Sequence, residues 1–202
     1  MSVSDGLTTL SVSEPGPPER GDAARNRALL VDAARRLVSE RGAESVTTDD
    51  IAAAAGVGKG TLFRRFGSRA GLMMVLLDED EKALQQAFLF GPPPLGPGAA
   101  PADRLRAYGR ERLAFVATHH ALLSDVGRDP QMRFNPPMML QHSHVRMLLE
   151  QAGTTGDLDA QTTALLALLD ADYVHHETTD RGRTLGDLGD GWETLVGKLC
   201  GT

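Results

Sequence analysis

Apolar positions along the chain recur at intervals of three and four residues, and two-residue alternation is nowhere sustained, so the pattern predicts stacked helices rather than sheets. From Ala24 to Arg41, the residues Leu30, Ala34, Leu37 and Val38 mark one helical face, and Gly42 follows as a C-terminal stop. Thr47 or Thr48 offers a hydroxyl cap for a short second helix. Asp49 and Asp50 favour its positive end, Ile51 to Ala55 continues it, and Gly56 ends it. Lys59 to Phe66 predicts a third short helix with Leu62 and Phe66, four apart, turned inward. Ser68 caps a long fourth helix running through Leu72, Val75, Leu76 and Glu79 to Phe88, where the proline-rich "GPPPLGPGAAP" of residues 91–101 must stop it.

Helical spacing resumes over 103–120 and 137–151, on either side of a segment broken by three prolines. Two closing helices are expected at 158–178 and 185–199. The first is apolar round much of its circumference through Leu165, Leu166, Leu168 and Leu169, which predicts burial on several sides.

Composition sharpens this in three places. Aromatic residues make up 4% of 202, so leucine, alanine and methionine must fill the core. One cysteine, Cys200, excludes an internal disulfide framework and a cysteine-based zinc site, consistent with a reducing cytoplasm. The stretch "MSVSDGLTTLSVSEPGPPERGD" has neither a basic start nor a sustained apolar run. Residues 1–22 therefore read as a disordered tail, not as a signal peptide or membrane anchor.

The net charge of −6 conceals a polarity. Residues 20–72 carry 10 Lys/Arg against 6 Asp/Glu, whereas residues 73–202 carry 11 against 18. A basic end on an acidic body suits a head that meets a polyanion, because phosphate attraction is local and screened within roughly 8 Å at physiological salt. An acidic body disfavours a nucleoid-type DNA packager, which is usually basic throughout.

Within that basic end, "AGVGKGT" (residues 55–61) admits two readings. A phosphate-binding P-loop needs a strand, a glycine, four residues and then Gly-Lys-Ser/Thr. Here Ala53 stands where the first glycine belongs, Gly60 follows the lysine directly, and the preceding "DDIAAAA" is a helix former. The other reading is a helix-turn-helix. Ala52 and Ala55 let two short helices cross closely, Gly56 takes a left-handed turn, and Ile51, Val57 and Leu62 share a small core supported by the first helix.

The segment "TTDDIAAAAGVGKGTLFRRFGSRAGL" resembles the DNA-binding segment of the TetR family of bacterial transcriptional regulators. Thr48, Ile51, Ala52, Ala55, Gly56, Val57, Gly60, Thr61, Leu62, Phe66 and Leu72 meet the family pattern. Gly58, Phe63 and Arg69 stand where serine, tyrosine and lysine are usual. The resemblance covers about residues 24–72; the remainder matches only in helical character and length.

It implies an all-α protein of about nine helices: a three-helix helix-turn-helix DNA-binding domain at 23–70, then an effector-binding and dimerisation domain at 71–202. On this alignment Thr48 and the amides near Gly58 and Gly60 hold phosphates, and Lys59 and Arg69 add charge. Thr61, Arg64 or Arg65 reaches base edges, and Phe63 touches a thymine methyl. The expected partners are double-stranded DNA with a palindromic operator, a second copy of the chain, and an unidentified small-molecule effector. No cofactor, metal or membrane is expected, and the reading is of a cytoplasmic repressor rather than an enzyme.

The same resemblance puts a two-fold dimer on the last two long helices, for which Leu165, Leu169, Tyr173, Trp192, Leu195 and Leu199 are candidates; an intramolecular core is the alternative for each. The thioether-rich "PQMRFNPPMMLQHSHVRMLL" suits an adaptable effector pocket lined by Phe115, Met132, Phe134, Met138, Met139, His142 and Met147, with plain core as the alternative. All six histidines lie in the C-terminal part, as His119-His120, His142 with His144, and His175-His176. Neighbours and next-neighbours diverge by about 100° and 200° on a helix, so no pair chelates an ion unaided. A helical enzyme using His142 or His176 with a carboxylate such as Asp172 is the competing functional class.

Overall fold

The computed structural model describes residues 19–127 and 136–202. Among the described residues the chain is all-helical: α1 (Glu19–Arg41), a 3-10 turn (Ala43–Ser45), α2 (Thr48–Ala55), α3 (Lys59–Phe66), α4 (Arg69–Phe90), α5 (Pro101–Gly127), α6 (Pro136–Gln151), α7 (Leu158–Ala167), α8 (Ala171–Thr179) and α9 (Leu185–Cys200). Helix α1 starts at Glu19, so residues 19–22, read as tail from composition, are helical; residues 1–18 lie outside the described residues.

The helix expected over 158–178 is two helices. Asp170 breaks it, because its carboxylate accepts hydrogen bonds from the amides of Asp172 and Tyr173, both within 3.1 Å, and so caps a new helix start. A capping side chain offers the backbone an alternative to continuing the previous helix, and the apolar run before Asp170 conceals it.

Two apolar cores result. The head core is built from α1, α2, α3 and the first half of α4, with Leu30, Ala34, Ile51, Leu62 and Leu72 all fully buried. The body core unites the far half of α4 with α5 to α9 around Phe88, Leu105, Leu148, Leu165, Trp192 and Val196. Burying each large side chain stabilises by about 1.5–3 kcal/mol, and this tertiary burial holds helices too short to persist alone.

Helix α5 is the axis of the body, in contact with α4, α6, α8 and α9. Trp192 of α9 fixes one of those contacts: it is 1% exposed and its Nε1 donates to Leu105 O at 2.8 Å. The opposing residue must be Gly109, where an added Cβ would fall 2.1 Å from the indole nitrogen.

The face of α5 turned to α4 and α6 is polar. Arg112 donates to Glu81 at 2.5 Å, and Glu81 also accepts from Gln85 at 3.0 Å and Gln141 at 3.2 Å. His119 lies 3.2 Å from Asp80, which in turn holds Arg35 of α1 at 2.7 Å, so one ion network joins head to body.

Candidate nucleic-acid interface

Thr47 caps α2: its hydroxyl accepts from the Asp50 amide at 3.1 Å, while the Asp50 carboxylate accepts from the Thr47 amide at 3.0 Å. These hydrogen bonds from Thr47 hold the Asp50 carboxyl below its usual range. Thr48 is the first residue of α2 and half-buried. Gly56 closes the helix at φ +66°, ψ +28°, a left-handed position that would cost a side-chain-bearing residue roughly 1–2 kcal/mol. The Val57 amide then bonds back to Ala52 O at 3.0 Å, aiming the chain into α3.

Gly58 enters α3 in an extended conformation and no side chain caps the first-turn amides, so the positive end of α3 stays open. Leu62 is fully buried and anchors α3 to the head core. That anchoring leaves Gly58, Lys59, Gly60, Arg64 and Arg65 exposed, Phe63 42% exposed and Thr61 half-buried. Neither Arg64 nor Arg65 has a hydrogen-bond or ion-pair partner among the described residues. Lys59 bridges to Asp49 of α2 at 2.8 Å, an exposed pair worth about 0–1 kcal/mol and easily exchanged for a phosphate.

Arg69 behaves differently. Its Nε donates to Val46 O at 2.7 Å and its Nη2 to Ala43 O, so the guanidinium ties the start of α4 to the 3-10 turn. These bonds turn its fork into the head.

The C-terminal candidates are scattered. Phe115 lines a cleft of about 430 Å³ between α1, α4 and α5, beside Arg35, Asp80, Glu111 and His119. Met138 and Met139 are 42% and 62% exposed at the start of α6, His142 is half-buried on its next turn, and Met147 packs against the body core. Met132 and Phe134 lie outside the described residues.

Leu165, Leu169 and Trp192 are 0%, 6% and 1% exposed within a single chain and pack in the body core. Tyr173, Leu195 and Leu199 are half-buried and still present surface. A second cleft of about 200 Å³ touches Leu169, Tyr173 and Trp192.

The histidines go separate ways. The rings of His120 and His175 stack 3.9 Å apart, His120 lies 3.5 Å from Asp172, and His176 pairs with Asp180 at 2.8 Å rather than with Asp172. No cluster of three potential ligands suited to a metal occurs among the described residues.

Sequence reasoning missed Arg104, Tyr108 and Arg112, buried on the inner face of α5. The signal was present: Arg112 falls at helical spacing between Leu105, Tyr108 and Val116, which a solvated arginine would not.

Residues 30–74 match the model for bacterial regulatory proteins of the tetR family. The transcriptional regulator AcuR of Cereibacter sphaeroides is 32% identical over 123 residues, covering 56% of this chain; the matched chain spans about half of that relative's length, 53%. A transcriptional regulator from Saccharomonospora viridis, solved with choline, superposes with a TM-score of 0.67 at 20% identity over 86% of this chain and 96% of its own. AibR, solved with isovaleryl coenzyme A and operator DNA, gives a TM-score of 0.54 at 22% identity over 87% of this chain and 97% of its own. The structural likenesses carry the fold, and the capped, glycine-turned helix pair lies within residues 30–74, the stretch that matches the helix-turn-helix model of the tetR family of bacterial regulatory proteins.

Proposed function

We propose that this chain is a dimeric, ligand-responsive DNA-binding transcriptional regulator, acting as a cytoplasmic repressor and not as an enzyme. The observation that carries this reading is α3: Leu62 locks it to the head, its first-turn amides are uncapped, and Arg64 and Arg65 stand exposed without internal partners. Unspent cationic donors on an anchored helix whose start carries no side-chain cap are what phosphate clamping and base reading require.

In this reading residues 23–70 are the reading head. Thr48, Gly58, Lys59 and Gly60 meet the backbone, while Thr61, Phe63, Arg64 and Arg65 enter the major groove of a palindromic operator. Arg69 acts from behind, setting the angle of the head. The surface left by Tyr173, Leu195 and Leu199 joins two copies so that their recognition helices sit one DNA turn, roughly 34 Å, apart. Residues 71–202 take the effector, whose binding shifts the spacing of the heads and releases the operator. AibR's operator complex and the ligands of AibR and the S. viridis regulator support this division of labour. No described helix is long and apolar enough to cross a membrane.

Fluorescence anisotropy with DNA from the protein's own promoter region tests the proposal. Binding should be palindrome-dependent and weaken steeply with salt, and Arg64→Ala/Arg65→Ala should weaken it at least about 30-fold, since an arginine on a base edge contributes about 1–3 kcal/mol. Absence of binding at every salt concentration would refute it.

A further inference from the structure

Buried charge in the body is almost everywhere paired. Glu81 serves Arg112, Gln85 and Gln141, His119 serves Asp80, and Glu177 serves Arg181 and Arg183. One group of side chains departs from this rule. Arg104 and Tyr108 lie one turn apart on the inner face of α5, 8% and 0% exposed, and His144 of α6 is 3% exposed. The His144 ring lies 5.5 Å from that of Tyr108 and 4.3 Å from that of Phe88 on α4.

The Tyr108 hydroxyl and both ring nitrogens of His144 have no hydrogen-bond partner. Arg104 has no carboxylate: its Nη2 donates to Phe88 O at 3.0 Å and its Nε to Leu95 O at 3.5 Å, which caps α4 and leaves Nη1 uncommitted. Buried polar groups are normally hydrogen-bonded, so orphans of this kind call for a partner, and a bound guest would supply one.

The chemistry of the guest follows from the donors. Burial lowers the His144 pKa to about 4 and raises that of Tyr108, so both are neutral near pH 7 and the local charge is that of Arg104. Three donors are uncommitted in this group, namely an Arg104 N–H, the Tyr108 O–H and one His144 N–H, and the nearby carboxylate of Glu81 is already engaged. A carboxylate would satisfy all three, and arginine is the side chain best shaped to hold one.

We propose that Arg104, Tyr108 and His144 form an effector site for a small organic acid, whose carboxylate they bind and whose apolar part lies against Phe88. This inference rests on the effector reading above. The rings are in contact in the structure, so the acid enters as α6 parts from α4 and α5, and the displacement is felt by the helix that carries the head.

The test uses the full chain with acetate, butyrate and hexanoate, each against its neutral amide, followed by thermal melting and titration calorimetry. At about 100 times its Kd, an acid that binds should raise Tm by roughly 5–10 °C. Its amide should not, and Tyr108→Phe and His144→Leu should each weaken binding at least about tenfold while remaining folded. The inference is overturned if no acid binds, if amides match acids, or if both variants bind like the wild type. It is equally overturned if the variants merely melt higher and no probe binds, which would make the orphans a purely structural cost.

Adding the same acids to the protein–operator complex separates the two claims. Acids that bind without changing the anisotropy leave the site standing and remove the effector reading. Release of DNA by other compounds, undiminished in His144→Leu, does the reverse.

Discussion

Head and body are both helical, yet their interiors obey different rules. The head core is aliphatic throughout: Leu30, Val31, Ala34, Leu37, Ile51, Leu62, Leu72 and Met73 fill it, and all eight buried polar or charged residues among the described residues lie from Glu81 onward, in the body. An aliphatic interior has one good packing and resists deformation, which suits a part that must present α3 at a fixed angle. The body threads Arg104, Arg112, Glu81, His119 and His144 through its centre. Such groups stabilise only while every partner is in place, so small displacements there have large energetic consequences. The contrast places rigidity in the head that presents α3 and sensitivity to displacement in the body, the division of labour that the proposed function requires.

The sharpest way to break the contrast is Arg112→Met. It leaves Glu81 charged, 8% exposed and facing only Gln85 and Gln141, and should destabilise the chain by about 3–5 kcal/mol in urea unfolding. Replacing Glu81 and Arg112 together by methionines should cost much less. If single and double variants unfold alike, the polar interior of the body is not a coupled unit.

Acidification comes next. The unfolded His144 imidazole takes a proton near pH 6.5 and the folded one only near 4, so between those values the unfolded chain binds more protons and stability falls as pH is lowered. The full effect is roughly 3 kcal/mol. His119, whose pKa burial also lowers, acts with the same sign. Thermal melting from pH 7 to 4.5 should show the decline, and His144→Leu should flatten much of it.

The smallest expected effect lies in the head. Thr47→Ala removes a reciprocal cap and should cost about 1 kcal/mol in the same unfolding assay, leaving the pH profile between 6.5 and 4.5 unchanged. A loss of several kcal/mol would mean that the head depends on polar contacts as the body does.

What could be read from the sequence follows the same divide. The head was legible because its signals are local: a threonine before two aspartates, a glycine at the turn, and apolar residues at helical spacing. The body was legible as helices and little more. Arginines on α5 look like a solvated face until their partners 31 residues earlier on α4 are known, and one helix became two because a single aspartate outweighed an apolar run. Trp192, for which the sequence left dimer seam and intramolecular core both open, fills the gap above Gly109, a fit between positions 83 residues apart that no local pattern announces. Arg69 matched a phosphate-facing position in the resemblance, and only the fold shows its fork turned back onto Val46 and Ala43.

That turned fork gives α4 a mechanical character. Arg69 welds one end of a continuous rod to the head, and Phe88 sits about 28 Å along it at 1.5 Å per residue. A sideways push of 1 Å at Phe88 therefore swings the head through about 2°, with no joint between them to absorb the stroke. Lysine at position 69 would hold by a single point rather than by a two-pronged grip, and the same push would be partly lost as slack at the weld.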